Sequence, residues 1–322
     1  MILFPIPAQI KDATEKTIAS SNILQKNDLR PTNHLQLLSQ HPKSVQIWDS
    51  LLSLPSHFHT KLIEPSGFDF DLSTLLEQVK DFNTTILLSE NSVTSAILAE
   101  TDYVSVINNS LDHINQYDID FDRLSILGIQ KHMCSKDNYI AYMDSMFNIL
   151  RLSDIRHDYG ISEVVLRESN KIVFDLNSIR RSDLPEQGNA GFCGFTIEEA
   201  CRLMRYIGSV KQLNMLEISS IDFSQPIGSP YYNAISLLIW YMMEGMTFRQ
   251  KSKEIPQKKQ YVVYPEGVDL PLYFYNESSS DKWWVNTSEE MQDLIACSPL
   301  DYENARTGKY SDRLIKIMDY TE

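Results

Sequence analysis

The apolar positions of this chain change period repeatedly, and the changes mark out its elements. Residues 1–60 open on a short apolar start and a polar stretch rich in Asn, Gln and Ser. VQIWDSLLSLP follows, and its apolar residues suit a short strand and a helix equally. From Phe70, DLSTLLEQVKDF brings Leu72, Leu75, Leu76 and Val79 to helical spacing behind a cap at Asp71 or Ser73. TTILLSE then reads as a short buried strand, SVTSAILAE as a helix, and YVSVI as a strand ending at Asn108. RLSILGI predicts a further strand. It leads into a long amphipathic helix from Asp137 to Leu152, with Tyr139, Tyr142, Met143, Met146, Phe147 and Leu150 on one broad face. A short strand at EVVLRE precedes a central one at 171–174. FTIEEACRLMRYIG is a helix capped by Thr196, with Glu198 and Glu199 in the first turn, where negative charge suits the helix dipole. Strand NMLEIS and helix YYNAISLLIWYMMEG complete the run.

Strand and helix in alternation predict an α/β fold of three αβα layers around a mainly parallel sheet of roughly eight strands. Residues 255–322 differ: KQYVVYPEG and LPLYFYN read as edge strands near Pro265 and Pro271, and WWV as another. DYENARTGKYSDRLIKIM reads as one helix or a pair. With neither a repeat nor a low-complexity linker, a single domain over 1–322 is the economical reading.

The stretch that draws attention is NKIVFDLNSIRRSDLP, Asn170 to Pro185. Its apolar strand turns polar at Asp175 and Asn177, as a site wall at the carboxyl edge of a parallel sheet would. Composition narrows the choices around it. An apolar content of 43% over 322 residues supports a large core. A formal charge of −14 repels nucleic acid and anionic lipid, and the lysines of 251–259 are broken by Glu254 and Pro256. The start MILFPIPAQI lacks a basic n-region and is interrupted by Pro5 and Pro7, which points away from a signal or membrane span and toward the cytoplasm. Cys134, Cys193, Cys201 and Cys297 show no C-x-x-C spacing, so reduced thiols are expected.

GFTIEEACRLMRYIG is similar to the G-L-T-x-E-E-A helix of the ureohydrolase family, and LLIWYMMEG to the M-I-W-Y-x-x-E-G ending of its formimidoylglutamase-like branch. Across roughly residues 84 to 250 the chain resembles that family, which includes arginase and agmatinase. The resemblance implies an arginase-like fold. In the family, four aspartates and two histidines hold two manganese ions, which bridge a hydroxide that attacks a guanidinium or imino carbon. Hard divalent cations need anionic oxygen ligands, and together they lower the pKa of the bridging water. By the resemblance, the G-G-D-H loop falls on Leu88-Ser89-Glu90-Asn91, placing Asn91 at the first histidine. The D-A-H-x-D loop gives Asn108, Ser110 and Asp112. The S-x-D-x-D-x-x-D-P loop gives Asp175 and Asn177, with Arg180 at a structural aspartate. Only Asp112 and Asp175 keep the family's ligand type. The loop after Asp112 is short, and the family's substrate-binding glutamate falls near Ser219 or Ser220, with Glu217 and Asp222 close by.

Other residues compete for roles. His57 and His59 sit at i and i+2, where a strand would align them. His113 and His132 lie near predicted strand ends and form a candidate relocated metal site with Asp112 and Asp175. Cys134 beside His132 is a weak nucleophile pair, since catalytic partners usually come from separate segments. Arg180 and Arg181 are candidates to replace the ions by facing Asp112 and Asp175. An exposed Trp283-Trp284 pair would favour an unknown protein partner or self-association. The expectation is a catalytically inactive or strongly impaired ureohydrolase-fold protein, a binding or structural module without a cofactor. The alternative is a hydrolase of C–N bonds in linear amidines, with Mn2+ on Asp112 and Asp175.

Overall fold

The computed structural model describes residues 33–39, 41–55, 60–67, 84–92, 102–112, 114, 123–145, 148–249, 258–265, 271–277, 281–287 and 294–321. Eight strands form one parallel sheet: β1 (Asn33–Ser39), β2 (Thr60–Gly67), β3 (Thr84–Leu88), β4 (Val104–Ile107), β5 (Leu124–Ile129), β6 (Ile149–Arg151), β7 (Lys171–Asp175) and β8 (Met215–Ser219). Their spatial order is β2-β1-β3-β8-β7-β4-β5-β6. The near-continuous apolar runs of β3, β4 and β5 are buried throughout, as strands covered on both faces require.

Side chains alternate between two cores, following the period of a strand. Val104, Val106 and Val173 join Leu124, Ile126 and Tyr142 on one face. Ile107, Ile172 and Phe174 join Leu127, Leu216 and Ile218 on the other, under helices α1 (Val45–Ser53), α5 (Ile197–Ser209) and α6 (Pro230–Met246). Between them in sequence come α2 (Lys136–Ser145), α3 (Leu152–His157) and α4 (Gly160–Leu166). The α5–α6 crossing is unusually close. A Cβ on Gly208 would fall 2.0 Å from the Met242 carbonyl oxygen, and one on Gly245 2.1 Å from that of Arg205.

The three-layer α/β architecture read from the sequence is therefore present, with one open reading resolved and two local corrections. VQIWDSLLSLP, open between strand and helix, forms α1. The long helix from Asp137 to Leu152 stops at Ser145, and Ile149–Arg151 pairs with β5 as the outermost strand. EVVLRE forms part of α4 and its end rather than a strand, burying Val164, Val165 and Leu166 in succession. Short apolar runs carry no decisive period, so packing decides them. The helices predicted at DLSTLLEQVKDF and SVTSAILAE, and residues 1–32, lie outside the described residues, as do His57, His59 and His113.

The C-terminal strands do not extend the parallel sheet. β9 (Lys258–Val263), β10 (Leu272–Glu277), β11 (Lys282–Asn286) and β12 (Ile295–Cys297) form a second, antiparallel sheet in the order β12-β11-β10-β9. One face buries Phe274, Trp283 and Val285 under helices α7 (Pro299–Arg306) and α8 (Asp312–Thr321). Arg167, just after α4, donates from Nη1 to the Trp283 carbonyl at 2.7 Å and stacks 4.9 Å from the Trp284 ring centroid. The tryptophan pair is thus internal packing, not an exposed patch: Trp283 is 9% exposed and stacks on both Tyr261 and Tyr302.

Candidate functional site

In a parallel sheet the loops leaving the carboxyl ends of the strands form the natural site. Here β3, β8, β7, β4 and β5 lie side by side, so Ser89–Ser92, Ser219–Asp222, Asp175–Arg181, Asn108–Asp112 and Gln130–Cys134 share one edge. Of the seven positions that the resemblance marks in the three ligand loops, Asn108, Asp175 and Asn177 form one hydrogen-bonded group, which Ser110 joins through its backbone N–H, while Asn91, Asp112 and Arg180 are engaged elsewhere.

Asp175 is the centre of that group. Its Oδ1 accepts the Asn177 N–H at 2.8 Å and its Oδ2 accepts the Asn108 amide at 3.1 Å. Burial pushes the Asp175 pKa up, the hydrogen bonds oppose this, and the nearby Glu217 charge adds to the rise. Asn108 has no freedom to turn. Its Oδ1 accepts the Ser110 N–H at 3.0 Å, so its NH2 must face Asp175.

Asn177 is fixed just as firmly by a residue the sequence did not single out. Gln187, 4% exposed, donates from Nε2 to Asn177 Oδ1 and to the Ser220 carbonyl, each at 2.8 Å. Its Oε1 accepts the hydroxyl proton of the fully buried Tyr231 at 2.8 Å, and the Tyr231 oxygen accepts the Asp222 N–H at 2.8 Å. Ser220 adopts a left-handed conformation, φ 62°, uncommon for a side chain larger than glycine and a mark of local strain.

The remaining positions point elsewhere. Asp112 is exposed and serves α2: its Oδ1 accepts the Ser135 N–H at 3.0 Å and the Asn138 amide at 3.1 Å. The Ser135 and Asn138 bonds hold its carboxyl below the usual carboxylate range. The Ser110 Oγ accepts the Asp112 N–H at 3.2 Å. Asn91 is exposed, while its neighbours Ser89 and Ser92 bond Glu217 at 2.6 and 2.9 Å. Glu217 is fully buried within β8, opposite Val173. Arg180 Nε contacts Asp183 Oδ1 at 2.5 Å, within its own loop, and Arg181 is exposed. Among the described residues neither arginine pairs with Asp112 or Asp175, so the ion-replacing arrangement gives way to a local i,i+3 pair. His132 is exposed on a single 3-10 turn. Burial pushes the Cys134 thiol up, away from a thiolate nucleophile.

The manganese pair implied by the resemblance does not fit this donor set. A cation between Asn108 and Asp175 would face N–H groups, the Asn177 oxygen is engaged by Gln187, and Asp112 is turned onto α2. Among the described residues, no group of three or more His, Cys, Asp or Glu side chains is placed to hold a metal ion. No helix among them is long and apolar enough to cross a membrane.

No protein-family model matches the sequence, and no curated protein sequence does. Solved structures do match. The formiminoglutamase of Trypanosoma cruzi, in an oxidized form with Mn2+, superimposes with a TM-score of 0.58 at 11% identity, covering 71% of this chain and 98% of that one. Formimidoylglutamase from Bacillus subtilis gives a TM-score of 0.56 at 15% identity over 70% of this chain and 90% of that one. An arginase superfamily protein from Trypanosoma cruzi gives 0.55 at 13% identity over 69% and 96%. Identities this low speak to architecture alone. The chain has an arginase-like, ureohydrolase-type α/β fold.

Proposed function

We propose that this protein is a non-hydrolytic bearer of the arginase-like fold, a binding or structural module that works without a resident metal. The observation that best supports this reading is the orientation of Asn108. Its carbonyl is held by the Ser110 N–H, so it offers Asp175 a donor where a metal site needs acceptors. A second reading is a hydrolase of C–N bonds in linear amidines with a reduced site on Asp112 and Asp175. The likeness to Mn2+-bearing formiminoglutamase favours it, and the turn of Asp112 toward α2 weighs against it.

Release of ammonia, urea or formamide from formiminoglutamate, agmatine and arginine, with and without added Mn2+, separates the two. The expected result is no release above a protein-free control. Turnover that disappears in Asp175→Asn would establish the second reading instead.

A further inference from the structure

We infer that a directed chain of neutral hydrogen bonds, running from Asp222 through Tyr231 and Gln187 to Asn177, locks the carboxyl-edge loops in place of metal ions. Every link has a defined direction. The Asp222 N–H can only donate, so the Tyr231 oxygen accepts it and the Tyr231 proton goes to Gln187 Oε1. With its carbonyl engaged, Gln187 presents both N–H groups, and these meet two acceptors, Asn177 Oδ1 and the Ser220 carbonyl. The Asn177 N–H then continues to Asp175. One side chain, Gln187, thereby ties the loop after β7, the loop after β8 and the first turn of α6.

Two features show that the lock constrains the edge rather than decorating it. Gln187 and Tyr231 are 4% and 0% exposed, so water is a poor substitute for either partner. Ser220, whose carbonyl Gln187 holds, carries the left-handed backbone at the end of β8, a conformation that persists only where its surroundings enforce it. The order of the links rests on the direction of these bonds, and their acting in place of metal ions rests on the metal-free reading proposed above.

The test is thermal unfolding of the full chain, as wild type, Tyr231→Phe, Gln187→Met and the double variant, each in EDTA and in MnCl2. Tyr231→Phe removes only an oxygen and keeps the ring. Each single change is expected to lower Tm by roughly 2–4 °C. The double variant should fall short of the sum, because both changes cut one chain. Wild-type Tm should be the same in both buffers. Additive losses, or an unchanged Tm in Tyr231→Phe, would overturn the lock, as would a wild-type Tm that Mn2+ raises by several degrees. Turnover in the amidine assay together with non-additive losses and a wild-type Tm indifferent to Mn2+ would remove the functional proposal and leave the lock standing.

Discussion

The two ends of strand β7 treat buried charge in opposite ways. At the amino end Lys171 meets Asp102, both side chains 7% exposed, and the ion pair is complete. At the carboxyl end Asp175 has no cation partner among the described residues. Neutral donors hold it, and burial raises its pKa. A buried pair is costly to halve, whereas a lone buried carboxylate is costly to keep ionised. The amino edge is therefore arranged for stability. The carboxyl edge keeps a carboxylate that stability alone would not select, at the edge where ligands of such sheets bind.

Breaking the amino-end pair should have the largest effect. Lys171→Met leaves Asp102 buried without its cation and should destabilise by ~3–5 kcal/mol in denaturant unfolding, while adding Asp102→Leu should recover most of the loss. A full-sized loss that persists in the double variant would show that the pair is not the cause.

A second acid sharpens the contrast with Asp175. Burial pushes the Glu199 carboxyl up, but Arg156 at 2.8 Å, the Tyr159 hydroxyl and the Thr196 N–H outweigh it and hold the group at about 2. Glu199 also closes the capping box of α5 with Thr196. Glu199→Gln, which can still close the capping box but loses the charge paired with Arg156, should cost about 0.5–1 kcal/mol at neutral pH. Because the folded pKa is depressed, this contribution is present above the unfolded value of 4.5 and is lost as pH falls toward about 2. Asp175 has the opposite sign. It binds its proton more tightly when folded, so its ionisation penalises the fold at neutral pH, and the penalty fades as pH falls through the raised value. The stability difference between wild type and Asp175→Asn should therefore move in favour of wild type on acidification. A pH-independent difference would contradict the burial argument.

The smallest effect belongs to Arg180. Its partner Asp183 lies in the same loop and its own side chain is 40% exposed, so Arg180→Ala should change stability by no more than about 0.5–1 kcal/mol. A larger loss would restore the idea that this arginine neutralises Asp175.

What the sequence revealed depended on whether the deciding interaction was local. The capping box of α5 lies within one turn, so Thr196 was readable as the N-cap and Glu199 as a first-turn acid, though their reciprocal bonding was not. The switch from Phe174 to Asp175 marked the strand end because burial there follows polarity. By contrast, Val164, Val165 and Leu166 are buried in succession, which a covered strand and a core helix both allow, and β-branching favoured the wrong one. Ile149–Arg151 became a strand because β5 offered an edge. In the candidate site, the resemblance marked Asn108, Asp175 and Asn177, which do meet. The group that fixes Asn177 comes from Gln187 and Tyr231, whose pairing is set by the neighbouring positions of β7 and β8 and leaves no local signal. Arg180 shows the reverse: a partner three residues away in sequence prevailed over the distant one expected for it.

The most direct test of the central claim is the metal content of the protein after incubation with Mn2+ and removal of the free ion, measured alongside amidine hydrolysis on the same sample. The account predicts well under one manganese per chain and no product release. One or two manganese ions per chain, with turnover that scales with occupancy, would contradict it.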